Sequence, residues 1–474
     1  MSRTRWVIVG GALIVVGAAT IGGFFYAAEK ARKEIEEWMP LRPNATIGNR
    51  ELTKRIENAD TRLKNGFLPL AALVELSRLY HVNGFYDEAS DCYEALKVLQ
   101  PEEPHWPHLL SKIKASYGLL DEAIANERET VALAPDYLPA WIDLGNALLK
   151  RNQAAEAEKA FRVVLEKDAK QAYALLGLAR VSIARDNWTA AEPQLEGAVK
   201  QSKGKVGVEL LATVYRELGK VESADRLLFA HEIGLHTDPA DPWLEALMVD
   251  CYDPYALSLA SGMAGRRGDR EGAQRWIERA GELAPRDPMI LFQLAHTAAG
   301  SGHNQEALRF YEKCVRLKPD FSDGWHYLYI SYRNLGNLAA AERTLSKGFE
   351  NCPDSPALLI EVANGLQAQK KYQRAIGLLN KSIRLRPNEA LAYVSLARIH
   401  FARKNVERGI QSMRDALHAE PGHPLALTTL AMHAIENGNK ETARKYLAKI
   451  RLQPKVDPED AASLYASFQK RFQN

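Results

Sequence analysis

One spacing constrains this chain more than any other: prolines and small residues recur every 34 positions. Pro285, Pro319, Pro353, Pro387 and Pro421 stand 34 apart, and the same step joins Pro101 to Pro135. Small residues keep phase between them at Ala89, Ala123, Ala157 and Ala191, then at Ala307, Ala341, Ala375, Gly409 and Ala443. Large residues open the units at Trp141, Leu175, Trp325, Leu359, Tyr393 and Leu427. Within one unit, GWHYLYISYRNLGN puts Trp325, Leu328, Tyr329 and Tyr332 at i, i+3, i+4 and i+7, one face of an α-helix. Gly336 follows where a helix C-terminus takes a left-handed residue. NLAAAERTLSKGFENCP then reads as a second helix closed by Pro353. No such unit buries its apolar face alone, so the pattern predicts a stack.

A 34-residue helix–turn–helix carrying an aromatic, a leucine, a small residue, a tyrosine, an alanine and a closing proline resembles the tetratricopeptide repeat, here of a membrane-anchored bacterial type. The resemblance covers roughly residues 66–456. It implies an all-α fold: a right-handed solenoid of about eleven repeats behind a single N-terminal transmembrane helix. The expected organisation begins with a tail at 1–5, a membrane anchor at 6–27, and a linker and leading helix at 28–65. A first array of five repeats at 66–237 and an inserted segment at 238–253 follow. A second array of six repeats at 254–456 and a capping helix at 457–474 complete it.

The anchor rests on WVIVGGALIVVGAATIGGFFY, Trp6 to Tyr26, which is uncharged over 21 residues. As a helix it reaches about 31 Å, enough for a hydrocarbon core of about 30 Å. Trp6 and Tyr26 bracket it as interfacial anchors do. Arg3 and Arg5 precede the span, while Lys30, Arg32 and Lys33 follow it. The short basic tail reads as a signal-anchor start, so the expectation is a single-pass membrane protein with its repeats outside the cytoplasm.

A net charge of +3 on 474 residues gives no reason to expect nucleic acid. Cys92, Cys251, Cys314 and Cys352 form no CxxC pair or zinc spacing and read as core thiols, a Cys314–Cys352 bridge being the alternative. No GxSxG, HExxH, Walker-type or GxGxxG signature occurs, so neither enzyme activity, cofactor nor metal is expected.

The period breaks once, at HTDPADPWLEALMVDCYDPYALS. Its Asp-Pro pairs suit a turn and a helix start. Trp243, Leu247 and Met248, with Leu244, make one apolar face. The segment reads as a spacer over an imperfect junction or as a docking or self-association surface.

In the family this chain resembles, the first helix of each repeat lines a concave face. Carrying its inward positions across gives Arg78, His81, His108, Lys112, Asn146, Arg180 and Arg216 in the first array. It gives Phe292, His296, His326, Arg333, Asn364, Arg398 and Phe401 in the second. Six Lys or Arg stand against two acids, Glu209 and Asp323, so the groove is basic against a balanced chain. Asn146 and Asn364 occupy the asparagine position of a carboxylate clamp known in chaperone-binding members, but its lysine positions are Ile142 and Ile360, so that clamp is absent. The expected function is a non-enzymatic scaffold binding extended, acidic protein segments for envelope assembly, secretion or maturation. The alternative is a regulator of an envelope enzyme that docks a folded partner, or self-associates, through the insertion.

Overall fold

Every turn between the two helices of a repeat requires one left-handed residue, and its position repeats as the sequence does. It is Gly84, Gly118, Asn152, Asp186 and Gly219, then Gly268, Gly302, Gly336, Lys370, Lys404 and Gly438, all at positive φ. At Gly336 (φ +74°) the Gly336 N–H donates to Arg333 O and the Asn337 N–H to Tyr332 O, both at 2.9 Å. These bonds take up carbonyls that the helix end leaves open. Glycine supplies this conformation without steric cost; the lysines at 370 and 404 adopt it at φ +61° and +60°.

The computed structural model describes residues 30, 33, 49–65, 68–202, 204–230 and 239–472. The anchor expected at 6–27 lies outside them. Among the described residues, no helix is long and apolar enough to cross a membrane.

The chain divides into two units, residues 1–202 with 237–257, and residues 203–236 with 258–474. In the first unit the helix Arg50–Asn65 precedes four pairs: Pro69–Val82 with Tyr86–Leu99, His105–Ser116 with Leu120–Leu133, Leu138–Lys150 with Ala154–Lys167, and Ala172–Ala184 with Trp188–Gln201. The short helix Pro242–Glu245 and the 3-10 turn Ala246–Asp250 also belong to it. The second unit holds the pair Lys205–Glu217 and Val221–Ala230. Six further pairs run from Pro254–Arg267 with Arg270–Leu283 to Pro424–Glu436 with Lys440–Arg451, and the helix Pro458–Phe472 covers the last of them. The division therefore does not fall at the break in the period: the fifth pair groups with the second unit and the insertion with the first. The insertion joins the first unit through contacts with Arg55, Arg78 and His108.

The in-phase small residues lie in the core. Ala89, Ala157, Ala191, Ala375 and Ala443 have no exposed surface, and Ala123, Ala307 and Ala341 have almost none. The opening aromatics join one repeat to the one before. The Trp325 Nε1–H donates to Pro319 O at 2.7 Å, and the Trp141 Nε1–H to Pro135 O at 3.0 Å. The closing proline thus ends a helix and presents a carbonyl to the next repeat. Helix starts follow the sequence too: before Pro288, Asp287 accepts from the N–H groups of Met289 and Ile290. All four cysteines are buried, and none is in a disulfide. Cys314 and Cys352 donate to Pro288 O and Pro319 O at 3.1 and 3.6 Å, so the alternative bridge is not formed.

An L-residue in the left-handed region costs about 1–2 kcal/mol, and glycine's greater freedom when unfolded offsets part of that. Lys370→Gly and Lys404→Gly are each expected to stabilise the second unit by about 0.5–1 kcal/mol, while Gly336→Ala destabilises it by about 1 kcal/mol. Denaturant midpoints check both signs; three unchanged midpoints would mean the turn places no demand on the residue.

Candidate functional site

The helices Arg50–Asn65, Pro69–Val82 and His105–Ser116, with Tyr137 at the cap of Leu138–Lys150, present basic and aromatic side chains to the same occupant. That occupant is the inserted segment. Its start is set locally: Asp241 caps the helix Pro242–Glu245, accepting from the Leu244 N–H at 3.2 Å, with Pro242 in the first turn. The capping carboxylate also makes the principal contact with the groove. Asp241 Oδ2 lies 2.9 Å from His108 Nε2 and 3.0 Å from Lys112 Nζ, and the Tyr137 hydroxyl donates to Oδ1 at 2.6 Å. His108 Nδ1 lies 3.1 Å from the Glu127 carboxylate, and Lys112 also holds Asp143 at 2.7 Å.

The protonation state follows from this geometry. His108 is fully buried with a carboxylate on each ring nitrogen, and only an imidazolium donates from both. Burial alone would lower its pKa, but Glu127 and Asp241 raise it to about 9. Asp241 is held far below the usual carboxylate range: burial opposes its charge, and His108, Lys112 and Tyr137 outweigh burial. Burial raises the pKa of Glu127. The ligand atoms of His108, Glu127 and Asp143 lie within 4.8 Å of one another, a spacing that suits a metal ion. Here His108 and Lys112 already supply the positive charge.

The rest of the segment is seated at two further places. The Trp243 indole stacks on Tyr137 with centroids 3.5 Å apart and planes at 5°, and the His105 ring is 4.1 Å away. Asp250 accepts from Arg55 at 2.9 Å and from Arg78 at 2.8 Å. Asn83 binds the backbone around it, donating to Asp250 O at 2.9 Å and accepting from the Tyr252 N–H at 2.7 Å. Leu247, 3% exposed, joins the core formed by residues from Leu52 to Ile113. The face expected for docking is therefore turned inward: Leu247 is buried, while Trp243 and Met248 are partly so. The first unit's own residues have already covered it.

Of the residues carried over from the family pattern, Arg78, His108 and Lys112 converge on this segment. His81 does not: it is 7% exposed, its Nδ1 lies 3.1 Å from the Tyr93 hydroxyl, and burial lowers its pKa to about 4, leaving it neutral. Asn146 is half-buried on the third first helix. Arg180, half-buried on Ala172–Ala184, has no ion-pair partner among the described residues, and burial lowers its pKa. Arg55, Asn83, Glu127, Tyr137 and Asp143 stand outside the positions carried over from the family pattern. Of these, Tyr137 alone carried a signal, standing two places after a closing proline where Phe321 stands in a later repeat.

In the second unit Arg216 is exposed, 3.6 Å from Asp225. Phe292 is 9% exposed, packed among His296, Tyr311, Phe321 and Tyr327. His296 Nδ1 lies 2.7 Å from the Tyr311 hydroxyl, and burial lowers the His296 pKa. Phe401 fills the space over Gly409, where an added Cβ would lie 2.3 Å from the ring. Both phenylalanines, expected to meet a ligand, also pack inside the repeats, Phe401 staying half-buried. His326 and Arg333 lie 3.8 and 3.9 Å from Glu361, an acid the sequence reading did not place in the groove. Beside Glu361, Asn364 and Arg398 line an open recess of about 360 Å³ with Ser395, Leu391 and Leu425. Arg398 is exposed and has no ion-pair partner among the described residues, and Leu391 is 54% exposed.

The His108 pair makes the seating of the segment depend on pH. A folded pKa near 9 against about 6.5 unfolded stabilises fully below about pH 6.5, and this stability is lost as pH rises through 9. The expected loss between pH 7 and 10 is on the order of 3 kcal/mol. It is read as fading near-ultraviolet dichroism from the Trp243–Tyr137 stack; His108→Gln should remove the alkaline transition. A signal unchanged to pH 10 in the natural chain would contradict the charged pair.

Comparison with known proteins places these features. The profile described as the cilia and flagella-associated protein 70 middle TPR-like domain matches residues 115–235. Tetratricopeptide repeat profiles match residues 290–321, 361–424 and 403–468. The chain is 25% identical over 276 residues to protein O-mannosyl-transferase TMTC3 of Homo sapiens, covering 54% of this chain and 28% of that protein. It is 20% identical over 395 residues to cellulose synthase operon protein C of Pseudomonas fluorescens (strain SBW25), covering 78% of this chain and 30% of that protein. It thus spans under a third of the length of either relative. The crystal structure of the yeast Tom70 aligns with a TM-score of 0.39 at 13% identity, over 90% of this chain and 97% of that one. Period, helix pairing and profile matches agree, and the chain belongs to the tetratricopeptide repeat proteins.

Proposed function

We propose that this chain is a non-enzymatic scaffold whose repeats capture extended, acidic segments of partner proteins along their first helices. Tetratricopeptide arrays in general mediate protein–protein contacts. The observation that carries the narrower reading is the seating of Asp241, Trp243 and Asp250 on the first unit. An acidic, aromatic stretch of backbone is the kind of ligand these side chains hold. Arg180 in the first unit and Arg398 beside Asn364 in the second offer further cations to such a segment. Leu391 and Leu425 give a partner's apolar side chains a surface to cover beside that cation.

The anchor at 6–27 would hold the repeats to a membrane, outside the cytoplasm, and the processes that fit are envelope assembly, secretion or maturation. Regulation of an envelope enzyme through the insertion is the weaker reading, because Leu247 and the Trp243 ring are engaged within the chain.

Each exposed Arg–carboxylate contact contributes about 0.2–1 kcal/mol, so micromolar binding, near −8 kcal/mol, needs several of them plus apolar burial. The test titrates a labelled 12-residue peptide of alternating Asp and Leu with one Trp into the full chain in detergent. Binding in the micromolar range is expected, weakening steadily with salt. Arg180→Glu with Arg398→Glu should weaken it about tenfold or more, the equivalent of two to three such contacts. Equal binding of a Lys-for-Asp peptide, or indifference to both reversals and to salt, would overturn the proposal.

A further inference from the structure

The insertion is both the segment that breaks the repeat and the segment that fills the first unit's groove. We infer that residues 239–252 are a built-in competitor there, and that this groove is a binding site for a partner segment of the same chemistry: an acid, an aromatic two places on, an apolar residue, and a second acid. The inference rests on the scaffold reading and adds its regulation. The spacing is Asp241, Trp243, Leu247 and Asp250. One acid sits against His108, Lys112 and Tyr137; the ring lies on Tyr137; the second acid sits between Arg55 and Arg78.

Three observations favour exchange over a permanent seam. The strap has little structure of its own, one helical turn at Pro242–Glu245 and a 3-10 turn at Ala246–Asp250, so its order depends on the seats. Both acids of the strap are held side chain to side chain, and another chain's carboxylates reproduce those contacts. The remaining bonds, made by Arg78, Asn83 and Tyr137, are to backbone groups that any segment carries. The second seat is open to water: Arg55 and Arg78 are 30% and 34% exposed, so both guanidinium groups are solvated once Asp250 leaves. Arg180, on the next first helix, is left unused by the strap, and a longer partner segment gains it. The strap therefore sets a threshold that short or weakly acidic segments do not pass.

The probe is a fluorescent peptide of residues 239–253 with Cys251 replaced by Ser, titrated into the full chain. Asp241→Asn with Asp250→Asn, which loosens the strap, is expected to tighten peptide binding at least tenfold over the natural chain. Adding Arg78→Glu to that background should remove the gain. In the natural chain, saturating peptide should release the strap, seen as faster hydrogen exchange at amides 243–252. If the loosened variant does not fold, this exchange measurement decides alone, and unchanged strap protection at saturation overturns the inference. Equal affinity in folded natural and loosened chains overturns it as well. Binding lost through Arg398→Glu and not through Arg78→Glu places the peptide on the second unit. That result removes the competitor while leaving the scaffold reading intact.

Discussion

The close approach of two helices at one small side chain, repeated every 34 residues, is the constraint on which the rest of each unit depends. With Ala89, Ala157 or Ala375 fully buried at the contact, the helix axes come near enough for larger side chains to interlock around them. At Gly409 even a methyl group is too much, because the Phe401 ring occupies its place. A pair so formed still has an unburied face. The next repeat covers it, and the Trp325 indole bound to Pro319 O fixes the distance between them. Regular stacking then brings the first helices of successive repeats side by side, giving a surface with a periodic supply of side chains.

That surface selects for charge in the first unit. Its strongest feature is a buried imidazolium between two carboxylates, His108 with Glu127 and Asp241. Burying these charges is unfavourable unless each has its partners, and removing one partner leaves the others exposed to the full desolvation penalty. This explains why Asp241 carries four contacts at once, to His108, Lys112, Tyr137 and its own helix cap. It also explains why the insertion groups with the first unit although the fifth repeat, which precedes it in sequence, does not.

What was legible in the sequence is whatever repeats. The helix pairs, the closing prolines, the in-phase alanines and the left-handed Gly336 all follow from the period. The left-handed Lys370 and Lys404 were hidden because lysine carries no preference for that conformation, and only the register reveals them. The site was harder to read. Projection of family positions found Arg78, His108 and Lys112 but gave no partners for them, since Asp241 lies 133 residues beyond His108 and Asp250 lies 172 beyond Arg78. Pairing of charges across such separations leaves no periodic trace. The same projection gave Phe292 and Phe401 as ligand-facing, and both also pack within their repeats, because a ring at an inward position fills the gap beneath it. The Asp-Pro pair at 241–242 was read as a helix start, which it is, and its second use as a ligand had no sequence signature.

The central claim is that the insertion is held on the first unit by its charges, with Asp241 and His108 as the decisive pair. A double-mutant cycle with His108→Gln and Asp241→Asn, read as the stability of the strap at pH 7, measures their interaction directly. The account predicts that the two changes are far from additive, with a coupling of about 1–3 kcal/mol. Additive effects, with a coupling indistinguishable from zero, would contradict it.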